Sequence, residues 1–516
     1  MHIVVPDLLV LRIMNRFGGK IIRQLFFTSL LILTSCESGD TKRVDFTYLL
    51  EMTPINKEEI RKIIASYEAT IRKEKIMAYR YILSALPDQY RIDYKLIKED
   101  RVIEIDSRVT IDSILALQNE GFVINLRDTV NDINMIKSDD LIRHIDNFIS
   151  NWDAKRFTSD LSFESYMAVA LPYRVNNEPL SACFSKLSIR YPVDKLIRQK
   201  AYNDTLEAFG KKVSNIVDCY AKNLYGVNQL NNMDADKVLS HDEKITDYED
   251  YHIHRIQMLR HLGIPAFVQF TPHMQNSSVR PYTVKLVKEG LNIDSLHYAG
   301  ASKVFISCFE KVSWRNPYDE LVRLGIDLKN IPLSLYIPKM ADVTSRVAKT
   351  GQLHMNIDET LLHMTADSVV YLCAYTLGRW LPVDFGIVYQ GDLKFQDIGA
   401  DVLYIMASFS EGKLIISSYP FTFENSGAIR FLRGNNQNKE PVSVSMESRG
   451  GELQSEVEYT LYQWNIDGWY SVKNIKKGEN ATELSEGAVY MIRRAADKNG
   501  KNCRPFTIAD GKQVWW

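Results

Sequence analysis

At 516 residues the chain is too long for one ordinary core, and 45% hydrophobic with 25% charged residues is a multidomain globular balance rather than a disordered one. Lysine and arginine number 63 against 64 aspartate and glutamate, a formal net charge of -1. That balance gives no basic footprint, so no nucleic-acid partner is expected.

In chain order, Lys20 and Arg23 precede the apolar run Leu25 to Leu33, and Leu33-Thr34-Ser35-Cys36 follows. This is the order of a secretion signal, and the run is far short of the roughly twenty residues a permanent membrane helix needs. Small residues before a cysteine resemble the lipobox of bacterial lipoproteins, which implies acylation of Cys36 and a membrane partner through the lipid anchor. An ordinary signal peptide with a chance cysteine is the alternative. Met14 begins a signal of more usual length. Five cysteines remain: Cys183, Cys219, Cys308, Cys373 and Cys503. An odd number at irregular spacing predicts neither a disulfide framework nor a zinc clip, and they read as small buried hydrophobes.

After a polar tether, Ile60, Ile64, Tyr67 and Ile71 recur at helical spacing, so Asn56 to Leu86 predicts one or two amphipathic helices. Asn56 with Glu59 marks the start and Pro87 the stop. Residues 110–120, 138–152 and 196–225 also read as helices, which makes the first 260 residues mainly helical. From Ala266 short strands are expected at Phe267 to Phe270, Tyr282 to Val287 and Val304 to Phe309. Beyond Ile337 the pattern is strand and turn, with hairpin signals at Asp467-Gly468 and Asp510-Gly511.

The stretch Thr246 to Ala266 is the most informative. Thr246 and Glu249 form a capping box, Ile245, Tyr248, His252, Ile256 and Leu259 share an inward face, Gly263 ends the helix, and Pro265 prevents its resumption. With its Arg-His-Leu-Gly-Ile-Pro-Ala ending, this helix resembles the core of the transglutaminase-like superfamily, a papain-like thiol fold. In that family the nucleophilic cysteine heads the helix fifteen residues before the glycine, where unpaired N–H groups and the helix dipole favour thiolate. Here the position is Tyr248, and a phenol does not replace that nucleophile. The family's histidine follows a Phe-Thr-Pro segment by eight residues, which is Pro281 after Phe270-Thr271-Pro272. By rough distance Asp294 takes the third position, with nothing to orient. A rescue would pair Cys219 with His252, His254, His261 or His273, although helix packing accounts for Cys219 equally well.

The segments Leu161-Ser162-Phe163-Glu164 and Leu171 to Leu180, the helices near Asn56 and the ending Arg504 to Trp516 resemble large transglutaminase-like lipoproteins of Bacteroidetes-type bacteria. The fold expected is therefore α+β and multidomain. It comprises a signal and lipobox (1–36), a helical N-terminal region (43–160), a transglutaminase-like domain (161–336), a β-sandwich-like domain (337–435) and a C-terminal β-rich module (436–516). The function expected is non-catalytic binding or scaffolding at the cell envelope, with a peptide or glycan as ligand and no cofactor. One alternative is a thiol acyltransferase or peptidase using a non-standard cysteine. Another is a glycan-binding surface protein acting through its β half, where Trp380, Trp464, Trp469, Trp515 and Trp516 lie, although core packing is the first use of such residues. Asp234, Asp236, Asp242 and Glu243 lack a calcium-loop spacing and read as a solvated loop, so no metal is expected.

Overall fold

The computed structural model describes residues 44–516 apart from 100, 106–122, 155–160, 185–247, 276–281, 288–297, 310–314, 328–329, 338, 357–368, 377, 411–412, 425, 435–438, 447–452, 467 and 496–502. The first apolar stripe folds as two helices, α1 (Lys57–Ala69) and α2 (Lys73–Ala85), and Pro87 sits in the 3-10 turn that follows. Ile60, Ile64 and Tyr67 are buried, whereas Ile71 falls in the break between the helices and is 91% exposed. Asn56 precedes α1 as expected but makes no side-chain cap. Its amide donates instead to the carbonyls of Ile133 and Ile136 at 3.0 and 2.9 Å. Glu59 accepts from the backbone N–H and hydroxyl of Ser138, both at 2.7 Å, and so supplies an anion to the N-terminus of α3 (Ser138–Asp153).

Between α2 and α3 the chain is extended, which corrects the expectation of a mainly helical first half. Strands β1 (Tyr90–Lys98), β2 (Arg101–Ile105) and β3 (Val123–Asn131) form an antiparallel sheet in the order β2-β1-β3. The helices expected at 110–120 and 196–225 lie outside the described residues. After α4 (Phe163–Ala170) and α5 (Tyr248–His261) come β4 (Ala266–Phe270), β5 (Tyr282–Leu286), β6 (Phe305–Ser307) and β7 (Met340–Asp342). These four strands form an antiparallel sheet, β5-β4-β6-β7, with α5 packed on β4 and β5.

The next eight strands are β8 (Thr350–Asn356), β9 (Val369–Thr376), β10 (Arg379–Tyr389), β11 (Asp392–Gly399), β12 (Val402–Ser410), β13 (Lys413–Ile416), β14 (Phe421–Phe423) and β15 (Ile429–Phe431). They form one sheet ordered β15-β14-β12-β9-β10-β11-β8, with β13 on β12. Both faces are buried, because successive side chains point opposite ways. Val370, Leu372 and Ala374 enter one core with Leu353, Phe395 and Phe423, strand residues from both flanks of the sheet. Tyr371, Cys373 and Tyr375 enter another with Ile92, Leu96 and Met491. The long apolar runs of β9 and β12 follow from this double burial.

The last strands are β16 (Lys439–Ser443), β17 (Tyr459–Asn465), β18 (Gly468–Ile475), β19 (Ala481–Ser485), β20 (Tyr490–Arg494), β21 (Pro505–Ala509) and β22 (Lys512–Trp515). They pair as β16-β19 and as β18-β17-β20-β21-β22 around a shared core that includes Val442, Tyr459, Leu484 and Phe506. Asp510 and Gly511 adopt φ 50° and 69° in the two-residue turn between β21 and β22, as expected of a hairpin needing positive φ twice. Gly468 instead pairs with Asn465 and opens β18, while Asp467 lies outside the described residues. Residues Phe46–Trp516 form one compact unit, and its cores run across the boundaries expected near 160 and 336. The described residues are thus mixed α/β with several sheets, and none of their helices is long and apolar enough to cross a membrane.

Candidate functional site

Helix α5 ends as its sequence dictates. Gly263 takes φ +84°, its N–H bonds the Arg260 carbonyl at 2.9 Å, and the Ile264 N–H bonds the Leu259 carbonyl at 2.9 Å. A Cβ at Gly263 would also stand 2.8 Å from the Cβ of Asn151, so both conformation and space require glycine. The carbonyls left over at the helix end are met from neighbouring helices. That of His261 accepts from the amides of Asn147 and Asn151 at 2.9 and 3.0 Å, and that of Gly263 from the Tyr166 hydroxyl at 3.2 Å. His252, Ile256 and Leu259 of the expected inward face are buried, and so are Ile253, Gln257, Met258, Arg260 and Leu262. The helix is enclosed rather than laid on a surface.

The Leu171 to Leu180 segment is the second half of the arrangement. Arg174 donates through Nη2 and Nε to the two carboxylate oxygens of Asp132 at 2.5 and 2.8 Å, with both side chains almost wholly buried. The Tyr173 hydroxyl donates to the same carboxylate at 3.0 Å, and Arg174 Nη1 donates to the Glu178 carbonyl. Glu178 in turn accepts from the backbone N–H groups of Val175 and Asn176 at 2.6 and 2.7 Å and from the Gln257 amide of α5 at 3.1 Å. Arg260 closes the circuit by donating to the carbonyls of Ala266 and Pro172 at 2.9 and 3.1 Å. Burial draws its pKa down to about 10, so it stays cationic at neutral pH. Asn177 pairs with both backbone groups of Ile92, tying the loop to β1. These polar groups hold one another, and their work is to fix the position of α5.

Beside them, Lys339 adopts φ 60°, its ammonium donates to the Tyr90 carbonyl, and it sits 4.8 Å from the centre of the Tyr90 ring. Burial and then the Arg174 charge bring its pKa down to about 7. A separate cluster joins the four-stranded sheet to the eight-stranded one. Lys303 lies 2.8 Å from Asp342 and 2.9 Å from Asp384, and Arg315 reaches Asp384 at 2.6 Å. Gly399 explains the closeness of that seam, because a Cβ there would overlap the Ala301 carbonyl oxygen at 1.7 Å.

Tyr248 is the first residue of α5. The β4–β5 register pairs Phe270 with Tyr282, and their rings stack at 4.5 Å. Phe305 of β6 lies 6.3 Å from Phe270 on the other side, so aromatic rings fill this end of the sheet. Pro281, Asp294, Cys36, Cys219 and the acidic residues Asp234, Asp236, Asp242 and Glu243 lie outside the described residues, as does Ile245. Among the histidines proposed as partners, His252 and His273 are buried and His254 and His261 lie on α5. None of Cys183, Cys308, Cys373 and Cys503 is in a disulfide. Cys183 donates to Glu178 Oε1 at 3.6 Å, and burial followed by that carboxylate's charge raises its pKa well above the ordinary range. Burial does the same to Cys373. No group of three or more His, Cys, Asp or Glu side chains among the described residues is placed to hold a metal ion.

The sequence reading missed Asp132, Lys303, Lys339, Asp342 and Asp384. Their only advance signal was charge inside apolar runs, as in Ser302-Lys303-Val304-Phe305 and Val383-Asp384-Phe385. Comparison with family models, curated proteins and solved structures finds no match.

Proposed function

We propose that the chain is a non-catalytic, transglutaminase-like lipoprotein that binds or scaffolds at the cell envelope, held there through an acylated Cys36. The observation that carries the reading is Tyr248 at the head of α5, fifteen residues before the Gly263 that ends it. The helix and the antiparallel strands that follow have the order expected of a thiol-fold core, with Gly263 and Pro265 at the junction. The C-terminal strands, two sheets around a shared core, accord with a sandwich-like module, whereas the strands from β8 to β15 form a single sheet. Cys183 and Cys373 add support, since thiols held protonated by burial are poor nucleophiles. On this reading the interlocked residues Arg174, Glu178, Gln257 and Arg260 keep a helix whose role has passed from chemistry to architecture.

Incubation of the purified chain with amine donors and glutamine-containing peptides is expected to give no transfer and no cleavage. Turnover that iodoacetamide abolishes would overturn the proposal and favour a thiol enzyme. For the anchor, cells expressing the chain and fed an alkyne palmitate analogue are expected to label it, and Cys36→Ser to remove the label. Label that persists in the serine variant, or that never appears, removes the lipoprotein assignment.

A further inference from the structure

We infer that a groove between the eight-stranded sheet and the C-terminal sheet is a saccharide-binding site. Its volume is about 280 Å³, near the lower bound of small-ligand pockets. One wall is Tyr419 and Pro420 with Leu432 to Gly434, which flank β14 and β15; the other is Gln463, Trp464 and Asn465 on β17 with Tyr470 and Val472 on β18. Backbone bonds fix the first wall in place. The Leu432 N–H bonds the Pro420 carbonyl at 2.7 Å, and the Gly434 N–H bonds the Gly487 carbonyl at 3.0 Å. Gly434 takes φ +69°, and a Cβ there would come within 3.2 Å of the Gln463 amide nitrogen. A side chain at Gly434 would therefore press into the wall.

The chemistry of the walls selects the ligand. Tyr419 and Tyr470 line the groove, and aromatic rings carry negative π density that attracts the C–H face of a pyranose. Behind this wall Trp464 packs against Trp380 and Trp469 at 5.6 and 5.2 Å, which anchors the strand that carries Gln463 and Asn465. Arg433 lies 5.8 Å from the centres of both the Tyr419 and Phe431 rings, which hold its guanidinium at the rim. Together with the Gln463 and Asn465 amides it presents planar, paired donors and acceptors suited to neighbouring hydroxyls or to a sugar carboxylate. Tyr470 is 50% exposed, so its ring lies within reach of a ligand in the groove. A peptide added as a strand would instead be read by backbone bonds, whereas this groove offers rings and side-chain amides.

The site goes beyond the proposal for α5 and does not depend on it. Amine transfer by the chain would leave it standing. The test uses the full chain carrying Cys36→Ser, titrated by calorimetry and by tryptophan emission with soluble oligosaccharides of glucose, mannose, N-acetylglucosamine and galacturonic acid. At least one series is expected to bind saturably and to move the emission. Tyr470→Ala and Arg433→Ala should each weaken that binding about tenfold or more with the thermal midpoint unchanged, while Tyr470→Phe keeps it. Salt that weakens only the galacturonate series identifies Arg433 as a carboxylate partner. Absence of binding by all four series at about 10 mM, binding that ignores both alanine variants, or preference for an unstructured peptide overturns the assignment.

Discussion

Asp384→Asn is expected to lower the unfolding free energy by about 3–5 kcal/mol, while Glu320→Gln costs less than about 1 kcal/mol. Both carboxylates serve the same guanidinium. Arg315 donates through Nη1 to Asp384 at 2.6 Å and through Nε to Glu320 at 2.9 Å, but the Asp384 side chain is fully buried and that of Glu320 is 27% exposed. Asp384 Oδ2 also takes the buried ammonium of Lys303 at 2.9 Å. Amidation removes one charge and leaves the buried Lys303 ammonium facing the Arg315 guanidinium across a neutral group. The irregularity in the β9–β10 pairing falls between Pro382 and Asp384, and it accommodates both a proline and an inward carboxylate in a central strand. Urea unfolding followed by far-UV circular dichroism compares the two variants with the parent. Equal losses would mean that burial is not what makes the cluster strong.

That cluster also marks where sequence reasoning stops. Local rules served well wherever one residue's own geometry decided the outcome. Gly263 and Pro265 ended α5, and Asp510-Gly511 made the last hairpin. The apolar run from Val369 was a strand, because double burial in two cores calls for unbroken hydrophobicity. Local rules failed where a partner is distant. Asn56 and Glu59 have the spacing of a capping box, yet the Asn56 amide and Glu59 Oε2 bond residues 77 to 80 positions away. Lys303 meets Asp384 across 81 positions of sequence, and no periodicity announces such a pairing. The β1–β3 sheet was passed over because helical spacing on either side carried the first half. The alternation Arg91-Ile92-Asp93-Tyr94-Lys95-Leu96 was nonetheless a strand signal in its own right. At the candidate site, the helix boundaries were legible while the Arg174, Glu178 and Arg260 interlock behind it was not, because its bonds run mainly to backbone carbonyls and N–H groups.

Acid is expected to weaken the fold between pH 6.5 and pH 4, and His273 to be the largest single source of that loss. Burial, and then the charge of Arg504, push its imidazole from an ordinary 6.5 down to about 4. The unfolded chain therefore binds more protons than the folded one between those values. Stability is complete above about pH 6.5 and falls as pH drops toward 4. A 2.5-unit depression corresponds to about 3 kcal/mol at most. His144 is likewise lowered to about 4 by burial, with its ring nitrogen bonded to the Leu171 carbonyl at 2.6 Å. Its partial exposure makes its share smaller. Lys339 acts in a different window. Its folded value of about 7 lies below the ordinary 10.5, so its contribution makes stability rise from pH 7 upward and leaves the acid range to the histidines. Urea midpoints for the parent and for His273→Gln, taken at intervals from pH 7 to pH 4, separate the sources. The glutamine variant starts lower but descends less steeply, because the residue that must remain uncharged is gone. Parallel curves over that range would show that His273 is protonated in the fold without penalty, and would remove it as the acid-sensitive joint between β4 and the sheets beyond.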